Sequence, residues 1–201
     1  MKNRRLLSVF FLCILLAVSV LSPFAAAEEA EEESAPVAMP EIDIPAKASL
    51  LIDPETEEIL HQDNIHERLY PASLTKIMST LLVLEAIDSG KLTMDQQVTA
   101  TSSALDPVPD NASTADLKVG ETLSVQDLLY CVMVVSANEA CNILAEAVSG
   151  SIDAFVDVMN AKAQALGCED THFVNTSGLH DDDHYTTAWD MYLITKEAMS
   201  H

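Results

Sequence analysis

Tyr70-Pro71-Ala72-Ser73-Leu74-Thr75-Lys76-Ile77-Met78 is the stretch from which the rest of the chain can be read. Pro71 and Ser73 stand where helices begin. Leu74, Ile77, Met78, Leu81, Leu82, Leu84 and Ile87 then recur at helical spacing up to Gly90, which predicts a largely buried helix. Ser73 and Lys76 are three apart, one helical turn, so a hydroxyl and an amine share a face at the helix N-terminus. A serine needs a base before it can act as a nucleophile. Lysine can be that base when burial or nearby positive charge populates its neutral amine, and the positive end of the helix dipole favours a developing oxyanion. Alone, an S-x-x-K fits better with a serine N-cap and a solvent-facing lysine.

A second motif changes that balance. Ser124 to Val135 and Glu139 to Val148 read as two apolar helices broken at Ser136-Ala137-Asn138, 63 positions after Ser73. Working outward, Ala48 to Ile52 is a short apolar run, Asp53-Pro54-Glu55-Thr56 is turn chemistry and Glu58 to Leu60 resumes, which predicts a β-hairpin. The polar, proline-bearing stretch from Thr99 to Asp116 reads as loop. Ile152 to Leu166 reads as an amphipathic helix ended by Gly167, Thr171 to Leu179 as extended or looped chain, and Thr187 to Met199 as a last helix. Met78, Met133 and Met159 fall on apolar stripes and are expected in the core.

The chain of 201 residues carries 10 Lys+Arg against 32 Asp+Glu, a net charge of -22, which argues against nucleic acid as a partner. With 49% hydrophobic residues and five glycines it has the composition of a globular domain. Lys2, Arg4 and Arg5 precede an apolar run from Leu6 to Leu21, and Ala25-Ala26-Ala27 supply small residues before Glu28. Residues 1–27 are therefore expected to be a signal peptide, Ser19, Ser22 and Pro23 making the run too short for a retained membrane span. Its removal leaves 7 basic against 32 acidic residues, a charge of -25, on a chain working outside the cytoplasm. Residues 28–46, with seven acidic residues and three prolines, read as an acidic disordered linker, and 47–201 as the catalytic domain. Cys131, Cys141 and Cys168 are an odd number that implies no disulfide framework, and they are expected to be buried small hydrophobes.

The two motifs together resemble the low-molecular-mass penicillin-binding proteins, specifically the serine D-alanyl-D-alanine carboxypeptidases, whose first two motifs are S-x-x-K and S-x-N. The likeness extends to Gly120-Glu121, Asp127-Leu128-Leu129, Leu144-Ala145-Glu146, Phe155 with Met159-Asn160, Leu166-Gly167, Thr171-His172-Phe173, Gly178-Leu179, His184-Tyr185-Thr186-Thr187-Ala188 and Asp190-Met191. It implies an α+β fold of the β-lactamase and penicillin-binding-protein transpeptidase type. Helices would flank a mixed, mostly antiparallel sheet, and a helical insertion would carry Ser136 and Asn138. It implies Ser73 as nucleophile, Lys76 as base, Ser136 as proton relay to the departing D-alanine, and Asn138 as the group that holds the substrate amide and orients Lys76. Peptidoglycan stem peptides ending in D-Ala-D-Ala would be the substrate and β-lactams covalent inhibitors, with no cofactor and no metal. The location would be the cell envelope, with peripheral membrane contact possible through a C-terminal region beyond His201.

Two departures stand out. Glu139 sits where the family often has Asp, and none of the seven lysines is followed by Thr-Gly or Ser-Gly, so the sequence reads as ending before the third, Lys-Thr-Gly motif. Without that strand's positive charge and oxyanion donor, little turnover is expected. A class A β-lactamase shares both motifs but needs a downstream Glu-x-x-x-Asn, and four residues before Asn175 stands Thr171. A non-catalytic β-lactam-binding remnant is the other alternative. His180-Asp181-Asp182-Asp183-His184 has metal-ligand chemistry but is expected to be a solvated loop.

Overall fold

The computed structural model describes residues 44–201. The expected signal peptide and nearly all of the linker lie outside these residues. No helix among them is long and apolar enough to cross a membrane.

β1 (Ser49–Ile52) and β2 (Ile59–Asp63) form the expected antiparallel hairpin. Asp53 closes its turn by accepting the N–H groups of Glu55 and Thr56 on one carboxylate oxygen. A 3-10 turn, Ala72–Leu74, follows and leads directly into α1 (Thr75–Asp88). Ser73 therefore sits inside that turn and caps nothing, since the residue at the N-cap of α1 is Leu74 with no side-chain bond. The Ser73 hydroxyl is engaged elsewhere, with Lys76 and Ser136, and is not free to accept a helix N–H. α1 buries Met78, Leu81, Leu82, Val83 and Ala86, as its almost unbroken apolar sequence requires.

The stretch read as loop holds more structure than expected. β3 (Gln97–Thr99) pairs antiparallel with β4 (Thr122–Ser124), and between them α2 (Ser102–Leu105) is capped by Thr101, whose hydroxyl accepts the Ala104 N–H. Three-residue strands and a four-residue helix are too short to show periodicity, which is why only their capping chemistry is legible. The strands thus form two separate two-stranded sheets rather than one larger mixed sheet. The α+β character holds, with helices dominating.

Ser124 caps α3 (Val125–Val135) by accepting the Asp127 N–H, and two residues separate its end from the start of α4 (Asn138–Ser149). α5 (Ile152–Ala165) and α6 (Ala188–Ala198) complete the helices among the described residues. α4 is the hub, packing against α1, α2, α3, α5 and β3. Ala140, Cys141, Ala145 and Ile143 are buried along it, and small residues there let the neighbouring helices approach closely. Leu128, Phe155, Met159, Phe173 and Ile194 fill the layers around it.

Four side chains depart from expectation. Met133 is 56% exposed at the C-terminal end of α3, where Val134 and Val135 are exposed too, and its Sδ accepts the Thr80 hydroxyl. Cys131 and Cys168 are only partly buried, whereas Cys141 is fully so, and all three are free thiols. His184 is buried, not solvated. An open, mainly apolar groove of about 830 Å³ runs between β1, Tyr70 to Leu74 and α6, with Leu51, Leu74 and Met199 exposed along it.

Candidate active site

The polar centre of the molecule lies where three pieces of chain meet: the 3-10 turn with the first turn of α1, the break between α3 and α4, and the segment Phe173 to Gly178. The break is made by Ser136, which takes up left-handed backbone (φ 60, ψ 34) and so turns the chain out of α3 and into α4. A non-glycine residue in that conformation costs about 1 kcal/mol or more, and such strain is held only where the surroundings enforce it. Ala137 N–H donates back to Cys131 O, and Asn138 N–H donates to Ser113 O, which pin both sides of the break.

The third piece is held by asparagines. Asn160 donates from its side chain to Phe173 O and accepts the Phe173 N–H. Asn175 Oδ1 accepts the N–H groups of Ser177, Gly178 and Leu179. Gly178 has φ +87, and a Cβ there would lie 1.7 Å from Ala72 O and 2.9 Å from Thr75 Oγ1. Only glycine lets this turn press against the 3-10 turn that carries Ser73.

Lys76 is 3% exposed and Ser73 is open to solvent, so the amine is buried beneath the hydroxyl. Lys76 Nζ lies 3.2 Å from Ser73 Oγ and donates to Asn138 Oδ1 at 2.7 Å and to Ser177 O at 2.8 Å. Ser136 Oγ donates to Ser73 Oγ at 3.0 Å. All four residues singled out in the sequence, Ser73, Lys76, Ser136 and Asn138, are brought together in one cluster. Burial lowers the proton affinity of Lys76, while the Glu139 carboxylate opposes that shift more weakly. The positive neighbour expected to depress it is not needed for the direction.

A neutral amine has two hydrogens and one lone pair. Asn138 Oδ1 and Ser177 O can only accept, so they take both hydrogens and leave the lone pair for the Ser73 hydroxyl. The same three contacts accommodate an ammonium donating to all three oxygens or an amine whose lone pair faces the Ser73 hydroxyl.

Sequence reasoning missed two participants. Ser177 O carries no side-chain signal, and only the Asn-x-x-Gly turn chemistry around it was readable. His184 was assigned to a solvated loop, yet its Nε2 is 2.8 Å from Thr75 Oγ1 and its Nδ1 accepts the Val174 N–H. That bond fixes the tautomer with hydrogen on Nε2, donating to Thr75. Burial pushes its pKa down to about 4, so it is neutral at physiological pH. Both nitrogens are used, and His184 is not available as a metal ligand. Among the described residues Glu85, Glu197 and His201 bring ligand atoms within 4.8 Å of one another. Lys162 Nζ already bridges the two glutamates at 2.6 and 2.8 Å, so that cluster is an ion-pair network.

Comparison with known proteins identifies the family. Residues 30–201 match the family described as D-alanyl-D-alanine carboxypeptidase. The chain is 36% identical over 198 residues to the D-alanyl-D-alanine carboxypeptidase DacF of Bacillus subtilis, covering 98% of this chain and 48% of that protein. It is similar in structure to penicillin-binding protein 5 from Haemophilus influenzae, with a TM-score of 0.76 and 37% identity over 80% of this chain and 46% of that one. It is also similar to penicillin-binding protein D2 from Listeria monocytogenes, solved in its cefotaxime-bound form, with a TM-score of 0.68 and 31% identity over 80% and 64% of the two chains. The chain spans about half the length of the curated relatives it matches. With the fold shared and the family matched over most of its length, the chain belongs to the D-alanyl-D-alanine carboxypeptidase family, on the penicillin-binding-protein fold.

Proposed function

We propose that the protein is a serine D-Ala-D-Ala carboxypeptidase that removes the terminal D-alanine from peptidoglycan stem peptides through an acyl-enzyme. The observation that carries this reading is the buried amine of Lys76, with two of its directions taken by pure acceptors and the third toward Ser73 Oγ.

Ser73 is the nucleophile. Its oxygen bonds to the carbonyl carbon of the penultimate D-alanine while its proton passes to Lys76, and a base so placed contributes ~10²- to 10⁴-fold. The tetrahedral intermediate collapses with loss of the C–N bond to the terminal D-alanine. The proton held by Lys76 passes by way of the Ser136 hydroxyl, which lies 3.0 Å from Ser73 Oγ, to the leaving nitrogen. Asn138 keeps Lys76 oriented and meets the substrate amide. Water then cleaves the ester and frees the shortened peptide. β-Lactams acylate the same serine, as the cefotaxime-bound relative suggests for this fold. Residues 1–27 export the chain, 28–46 act as a linker, and the site works in the cell envelope.

The test is D-alanine release from a synthetic peptide ending in D-Ala-D-Ala by the full-length protein. Release that disappears in Ser73→Ala and survives chelation supports the reading. Release that persists in Ser73→Ala would overturn it, as would penicillin hydrolysis faster than peptide cleavage.

A further inference from the structure

Glu139 takes no part in the chemistry above, yet it is only 2% exposed. Burying a carboxylate so fully is costly unless its oxygens are paired. Two donors converge on one oxygen: Thr114 Oγ1 at 2.5 Å and the Ala115 N–H at 2.7 Å both reach Oε1. Oε2 is buried with no hydrogen-bond partner among the described residues. Those donors belong to the segment whose Ser113 O accepts the Asn138 N–H at 2.9 Å, and Asn138 Oδ1 in turn takes Lys76 Nζ. A continuous run of contacts therefore links Glu139, the 113–115 segment, Asn138 and the amine.

We propose that Glu139 is a positioning residue for Lys76: its buried carboxylate clamps the 113–115 segment onto the first turn of α4, fixes Asn138 against the amine, and keeps a negative charge in the same buried region. The first turn of α4 favours that charge, as do two donors on one oxygen. The titratable neighbours of Lys76 sort cleanly. Glu139, on α4, favours its charged form, and Cys141 on the same helix would do so only as a thiolate. The Cys141 thiol is pushed up to about 12, by burial foremost, and Cys131 on α3 is also raised by burial, so both are neutral at neutral pH. His184, which reaches Thr75 beside Lys76, is neutral as well. Of these neighbours Glu139 alone carries formal charge, and it restrains how far burial can discharge the amine.

The catalytic consequence rests on reading Lys76 as the base; the clamp does not, and a direct titration of the amine separates the two. The measurement is the pH dependence of the Lys76 Cε resonance by ¹³C NMR in the full-length protein, assigned by its loss in Lys76→Met. Glu139→Gln should lower the midpoint by about one pH unit, and Glu139→Asp, which keeps the charge, should restore it. An unchanged midpoint in Glu139→Gln, or equal shifts in both variants, would overturn the proposal. Should Glu139→Gln not fold, Thr114→Val keeps the charge and removes one donor. It should speed hydrogen exchange at the Ala115 and Asn138 amides about tenfold while Leu128 and Phe155 keep their rates. Unchanged exchange at Ala115 and Asn138 would equally overturn the clamp.

Discussion

Lys76 and Lys162 are both drawn in from solvent and both hold several partners, yet their protons are treated in opposite ways. Lys162 bridges Glu85 and Glu197. Partial burial pulls its proton affinity down, but the hydrogen bonds to Glu197 and Glu85 outweigh it and hold the amine above its ordinary value. Lys76 has no carboxylate in its hydrogen-bond shell, only a hydroxyl, an amide oxygen and a backbone carbonyl, and burial prevails. The number of partners is similar; their charge decides. Ion pairing keeps one lysine a structural cation, and neutral acceptors leave the other with the lowered proton affinity that the proposed base needs.

Exchanging the two roles by mutation gives the largest effect. Lys76→Met should slow β-lactam acylation of the full-length protein ~10³-fold, whereas Lys162→Met should leave it unchanged, as followed by the rate of adduct formation. Equal losses in both would erase the contrast. The next effect tests whether the neutral shell of Lys76 depends on the turn that supplies Ser177 O. Gly178→Ala drives a Cβ into Ala72 O, and acylation should fall ~10²-fold with a stability loss of about 2–4 kcal/mol by denaturant titration.

His184 sharpens the comparison in the acid range. It is neutral in the folded protein down to about pH 4 and takes a proton near 6.5 when unfolded. As pH falls, the unfolded chain binds the proton first, so stability present above 6.5 is lost progressively between about 6.5 and 4. The loss should be about 2 kcal/mol after allowing for screening, and should flatten in His184→Gln. A pH-independent stability across that window would contradict the buried, neutral imidazole. The smallest effect belongs to the ion pairs: Lys162→Met should cost under about 1 kcal/mol, and less at high salt.

What could be read in advance follows from how far each signal travels along the chain. The long helices α1, α4, α5 and α6 announce themselves by apolar spacing, and the strained break at Ser136 by polar residues between two apolar runs. Ser73, Lys76, Ser136 and Asn138 were legible because two motifs together resemble one family, whereas the Ser73–Lys76 spacing alone fits a helix cap better. β3, β4 and α2 were not, being shorter than the period that would reveal them. His184 was misread because its three acidic neighbours look solvated, and nothing local says that the histidine folds inward onto Thr75. Met133 was misread because a helical stripe gives a face but not which stretch of it a neighbour covers. The weight of Glu139 was invisible for the same reason: its partners, Thr114 and Ala115, lie 25 and 24 residues away.

The account stands on Ser73 being the atom that is acylated. Intact-mass analysis of the full-length protein after exposure to benzylpenicillin, with peptide mapping of the adduct, tests this directly. A single covalent adduct on the peptide carrying Ser73, absent in Ser73→Ala and slow to form in Lys76→Met, is the result predicted. No adduct on the folded protein, or an adduct on any other residue, would contradict it.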